Sequence, residues 1–270
     1  MSMKSYQLSL AAIVVVFFAA IATASPYATS VVTYTAGSDV GTGYDQPTSA
    51  LGEPTRSYSD SWGNYNITPF SSPYLPEHIV SIGPGGSLVV AFDHAVIDDP
   101  DNPYGIDLLI FGNAFFVDID VNYNGLAGDI NSDPAKIAVS QDGTTWINIK
   151  SVLADDLYPT MGYQNTTGPY NSDGTVESDF TKPVDPAFNP VGKTYAQIVA
   201  GYKGSGGGTG IDLAETGLSW IQYVKIYLDT SATYTAEIDG FADVTPVPEP
   251  ITLLTFLIGL PAAILNRKSR

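Results

Sequence analysis

The chain has no cysteine, so a disulfide framework, a thiolate nucleophile and a cysteine-held metal are all excluded. Cations are scarce: 11 Lys and Arg stand against 28 Asp and Glu in 270 residues, a formal charge of −17. Such a surface repels phosphate backbones and anionic lipid, which removes nucleic acid from the expected partners. Histidine occurs only at His78 and His94. A Ser-His-Asp site would have to use one of the two, and neither sits in a nucleophile motif. His78 precedes an expected strand and His94 follows one, so turn or surface packing is the plainer role for both. No stretch shows the period of an amphipathic helix, and no segment repeats. What is abundant is Tyr (17) and Gly (26), the composition of strands and turns.

The two ends carry addresses. Lys4, the apolar run Leu8–Ile21 and Ala22-Thr23-Ala24 are arranged as an N-terminal export signal over 1–24. At the other end Pro248-Glu249-Pro250 is followed by the apolar run Ile251–Leu265 and the basic close Arg267, Lys268, Arg270. This order over 247–270 resembles the PEP-CTERM sorting signal of exported bacterial proteins. The resemblance implies a hydrophobic sorting helix held transiently in the inner membrane and an exosortase-type enzyme as processing partner. It also implies a destination at the cell surface or in the extracellular matrix. Ile251 stands where that signal usually has a small residue, and Pro261 interrupts the apolar run. The basic close faces the cytoplasm by the positive-inside rule. Outside these segments 7 basic residues face 27 acidic ones, so the exported part carries about −20.

Between the addresses, residues 25–246 read as strands and turns. Strands are expected at Val31–Ala36, His78–Ile82, Ser87–Phe92, Ile106–Phe111 and Lys136–Ser140. A further strand, Thr144–Ile149, follows an Asp142-Gly143 turn in which Gly accepts a positive φ. Trp220–Leu228 alternates with Gln222, Val224, Ile226 and Leu228 on one face. Tyr234–Val244 places Ala236, Ile238, Gly240 and Ala242 on one face. Gly37–Ile67 reads as a long polar loop, and Ala154–Thr194, rich in Pro, Gly, Asp and Asn, as an elaborated one. Gly192-Lys193-Thr194 satisfies a relaxed phosphate-loop pattern, but Pro183, Pro186 and Pro190 deny it the strand that must lead in. The expected fold is all-β: a single antiparallel β-sandwich.

The sequence of motifs Ala50-Leu51-Gly52-Glu53-Pro54, Gly85–Phe92, Ile106–Phe116, Ile137–Gly143, Ile211–Ala214, Tyr223–Ile226 and Glu237–Phe241 resembles bacterial surface relatives of the galactose-binding-like, discoidin-type jelly roll. That resemblance implies a jelly-roll sandwich and a non-catalytic module that binds glycan or matrix, often with calcium. The Ala154–Thr194 insertion and Phe111-Gly112-Asn113-Ala114 depart from the family pattern.

Two loops are candidates for chemistry. Tyr44, Tyr58, Trp62 and Tyr65 gather aromatic rings beside Asp45, Asp60 and Asn64. Packing over the sandwich edge is the simpler use of such rings; stacking on sugar faces is the functional one. Asp118, Asp120, Asn122 and Asn124 alternate up to Gly125, with Asp129 and Asp133 beyond. Oxygen ligands on every second residue before a glycine are how a loop wraps Ca2+, although the bidentate Glu of the helix–loop–helix form is missing. A solvated Asx turn is the alternative. The expectation is an exported surface or matrix protein that binds extracellular polysaccharide and is not an enzyme. The competing expectation is a secreted carbohydrate-active hydrolase working through a carboxylate pair.

Overall fold

A computed structural model of the chain describes residues 24–61 and 63–244. The sorting residues Pro248, Glu249, Pro250, Arg267, Lys268 and Arg270, Trp62, and all of the export signal but Ala24 lie outside the described residues. Thirteen strands form: β1 Ser30–Thr35, β2 Ser57–Asp60, β3 Gly63–Asn66, β4 Val80–Ile82, β5 Ser87–Ile97, β6 Leu108–Gly112 and β7 Phe115–Asp118 come first. β8 Ala127–Asn131, β9 Lys136–Ser140, β10 Ile147–Asn148, β11 Thr209–Ile211, β12 Trp220–Tyr227 and β13 Ala236–Asp243 complete them. All their pairings are antiparallel.

One sheet has the order β1-β5-β12-β9-β10 and the other β11-β6-β13-β4. Val90, Phe92, Val139, Val224 and Ile226 from the first share a single buried cluster with Val80, Ile110, Ile238 and Phe241 from the second. The chain is therefore all-β, two antiparallel sheets over one core, as composition and turn spacing predict. β2-β3 and β7-β8 are separate hairpins.

The apolar run Ile106–Phe111 does not alternate because both of its faces are covered. Leu108 and Ile110 point into the inter-sheet core. Leu109 and Phe111 join a second cluster with Phe180, supplied by the long insertion. A third cluster ties the insertion to its surroundings, with its Met161 and Val184 meeting Phe116 of β7 and Ile198. Within the insertion only isolated bridges form, as its composition predicts.

Four expectations need correction. A helix does form: α1, Tyr195–Tyr202, starts at a capping box in which Thr194 and Gln197 satisfy each other's backbone donors. Eight residues are too few to show a clear period. The polar stretch Gly37–Ile67 contains the β2-β3 hairpin, whose turn is fixed by Asp60 accepting from the Gly63 amide at 3.1 Å. The faces of β12 and β13 change side part-way. The register of β12 on β5 shifts between Ile221 and Tyr223, and that of β13 on β6 between Ile238 and Gly240. On β13 the bulge inserts one residue, whereas between Ile221 and Tyr223 it is β5 that carries the extra residues, running from Val96 to Ala91. Each irregularity inverts the alternation beyond it. Ile221 rather than Gln222 is in the core, and Phe241 rather than Ala242. The fourth correction is His94, which lies inside β5, almost fully buried, and not in a turn after it.

Candidate functional site

The β2-β3 hairpin brings the loop tyrosines together by cross-strand pairing, with Tyr58 opposite Tyr65. Their rings stack at 5.1 Å, and the Tyr74 ring meets Tyr58 edge-on at 5.0 Å. Tyr74 donates its hydroxyl to Asp60 at 2.7 Å, and Tyr44 donates to the Tyr74 carbonyl at 2.7 Å. The Asp60 carboxylate pushes the Tyr74 hydroxyl pKa up to about 12. Tyr58 is thus committed to packing, with a neighbouring ring on one face and another at its edge. Tyr44 and Tyr74 stand at the rim of a cleft of about 340 Å³ whose other walls include Ser81, Asn113, Asp133 and Glu237. Tyr65 lines a different, shallower depression with Tyr170 and Asp173.

The cleft lies where β4, β13 and the β6–β7 corner meet. Ser81 and Glu237 are cross-strand partners, and the Glu237 carboxylate accepts at one oxygen from Ser81 at 3.0 Å and Thr235 at 2.7 Å. No described residue donates to its other oxygen. Neither the Asp133 carboxylate nor the Asn113 amide has a hydrogen-bond partner among the described residues.

Beneath them lies Asp155, 2 % exposed, with φ +58°. Its Oδ1 accepts from the Ala114 amide at 2.7 Å, while Oδ2 is buried with no partner. Gly112 makes room for it, since any Cβ there would strike the Asp155 carboxylate. Burial is the largest cause raising the pKa of all three acids. Asp155 is raised further by Glu237 and Asp133, and Glu237 by Asp133. A non-glycine residue in the left-handed region and a carboxylate oxygen left unpaired in the interior are both costly, and such costs gather at functional sites.

The calcium candidates fall elsewhere. Asp118 ends β7 and accepts from the amides of Asp120, Gly125 and Leu126 and from the Tyr170 hydroxyl, at 2.9–3.2 Å. Desolvation works to raise its pKa, but those donors outweigh it and the net shift is downward. Asp120 caps the Asn122 amide at 2.7 Å. Asn122 and Asn124 are exposed at the loop tip. Asp129 lies on β8 and lines a largely apolar cleft of about 590 Å³ with Phe116, Tyr158 and Phe188.

Among the described residues, the carboxylates whose oxygens lie within 4.8 Å of one another are those of Asp98, Asp107 and Asp212. Asp107 is fully buried and accepts from the Asp99 and Leu213 amides and from Asn102, tying three loops together. These three are the described residues that could hold a metal without rearrangement.

Of the four aromatic candidates, the structure places Tyr44 on the cleft, Tyr58 in the ring stack and Tyr65 on a neighbouring surface. Tyr74 and Asp155 lie in no local motif, and the motifs that hold Asn113 and Glu237 do not mark either as a site residue. They are brought together from chain positions 74 to 237, and a single sequence holds no signal for that meeting. No family model matches the chain, and no curated protein matches it.

Proposed function

We propose that residues 25–246 form a non-catalytic glycan- or matrix-binding module of an exported protein, and that the sheets follow the galactose-binding-like jelly-roll path. The cleft walled by Tyr44, Tyr74, Asn113, Asp133 and Glu237 is its ligand site. One observation carries the reading: two carboxylates and an amide line a cleft beside tyrosine rings and leave acceptors and donors without internal partners. A polyhydroxylated ring satisfies such groups, while its apolar face rests on an aromatic one. In the same reading the segment 247–270 is recognised by an exosortase-type enzyme at the inner membrane, which delivers the module to the surface or matrix.

Binding is tested with the purified domain on immobilised bacterial exopolysaccharide. Retention without shortening of the polymer is expected, with about a tenfold loss for Tyr44→Ala. Wild-type and Tyr44→Ala domains that elute alike would remove the site. Delivery is tested in an exporting host, where a chain lacking 247–270 should leave the cells for the medium.

A second reading, a hydrolase, is favoured by Asp133 and Glu237 sharing one cleft with raised pKa values. New reducing ends produced by the wild type and by none of the Glu237→Gln protein would establish it in place of binding.

A further inference from the structure

We infer that the Tyr44–Glu237 cleft takes a cationic sugar, an amino sugar whose nitrogen is free and protonated; this rests on the glycan-binding reading. The geometry supplies acceptors in excess of donors. Among the described residues, Asp133 has both carboxylate oxygens without a partner and Glu237 one. No Lys, Arg or His among the described residues lines the cleft. Asp133 and Glu237, two carboxylates lining one cleft without a cation, repel, and each loses hydration there. A neutral sugar leaves that repulsion in place. An ammonium group removes it: its N–H groups donate to the unpaired oxygens, and its charge offsets theirs in a partly desolvated cleft.

The nearby groups favour a sugar over a lysine side chain as the carrier of that ammonium. Asn113 lines the cleft without a partner among the described residues, Ser81 and Thr235 keep acceptor lone pairs beside their bonds to Glu237, and Tyr44 and Tyr74 offer rings. A lysine stem has no hydroxyls for them to pair with and needs an apolar channel. Asp155 is a positioning residue. Its Oδ1 accepts from the Ala114 amide and so holds the β6–β7 corner that carries Asn113 to the cleft.

The test is calorimetric titration of the domain with three hexamers: fully deacetylated glucosamine, fully N-acetylated glucosamine, and glucose. In mildly acidic, low-salt buffer the deacetylated hexamer should bind about tenfold more tightly than the other two, and added salt should erase the advantage. Glu237→Gln and Asp133→Asn should each narrow the preference. Because each replaces a carboxylate whose burial is unfavourable, neither should lower the melting temperature. The salt dependence of the wild type gives the same information without any variant.

Equal binding of all three hexamers, lost in Tyr44→Ala, would overturn the preference for a cation and leave the glycan site standing. No binding of any hexamer would overturn both. Hexalysine binding more tightly than the glucosamine hexamer would assign the cleft to basic peptide. Calcium alone binding to the wild type but not to Asp133→Asn would assign it to a metal.

Discussion

His94 shows what one residue contributes here. Its Nδ1 lies 2.8 Å from Asp93 Oδ1 and its Nε2 2.7 Å from Asp243 Oδ2, with the Phe92 ring edge-on at 5.6 Å. The hydrogen bond with Asp243, then that with Asp93, outweighs burial and raises its pKa. Asp93 also accepts from the Ser25 amide, and the Asp243 amide donates to Pro26, so the imidazole sits where the first and last described segments meet β5. His94→Leu removes a cation from between an exposed and a buried carboxylate. It should cost about 3 kcal/mol in urea unfolding at pH 6, most of it from the Asp243 side. A loss below about 0.5 kcal/mol would mean that the ring is merely space-filling.

At the scale of elements, the β7-β8 hairpin is held by a side chain where a tight turn would ordinarily do the work. Asp118 gathers three amides and a hydroxyl, so the loop closes around a carboxylate. The tip residues Val121, Asn122, Tyr123 and Asn124 are all exposed, Val121 to 89 % and Tyr123 to 69 %. Asp118→Ala should destabilise the domain by about 2 kcal/mol, measured by denaturant unfolding in chelator, because four charge-assisted bonds are lost at once. The same curves test the calcium that the loop's spacing predicts, which we propose at Asp120 and the exposed tip. An ion there adds a calcium-dependent rise in Tm that Asp120→Ala abolishes. Melting curves that overlay with and without calcium leave the hydrogen bonds as the whole account.

For the whole molecule, acidity and burial act in the same direction. Asp239 occupies the β13 bulge, fully buried, and accepts from the Thr55 amide and hydroxyl at 2.9 and 2.7 Å. Desolvation pushes its pKa up to about 7. Asp107, Asp133, Asp155, Asp156 and Glu237 are also raised, chiefly by burial.

A carboxyl whose folded pKa exceeds its unfolded value binds more protons when folded, so stability falls as pH rises between the two values. His94, also raised, loses its contribution as pH rises through its folded pKa. Asp93, Asp118, Asp142 and Asp173 are lowered, and their contribution is lost only as pH falls below the ordinary carboxylate range. Maximum stability should therefore lie at mildly acidic pH, with Tm about 5–10 °C higher near pH 5 than near pH 7.5. Asp239→Asn should flatten that slope. A Tm that climbs from pH 5 to pH 7.5 would show that these acids are not held as described.

Sequence alone determined what depends on neighbours along the chain. Tyr, Gly and turn spacing specify strands, and the absence of a helical period makes the chain all-β. The apolar run Ile106–Phe111 reads as a strand, and Pro, Gly and Asx density marks the insertion. The export and sorting segments that we propose at the two ends rest on local patterns in the same way. Only the tertiary structure decided which residues meet across the sheets. The register shifts at Gln222 and Asp239 invert two faces because register is set by the partner strand and not by the alternation itself. The cleft depends on the same long-range pairing. Asn113, Asp133, Asp155 and Glu237 lie more than a hundred positions apart at their extremes, and the sheet pairing and the Ala135–Ala154 bridge carry them to one place.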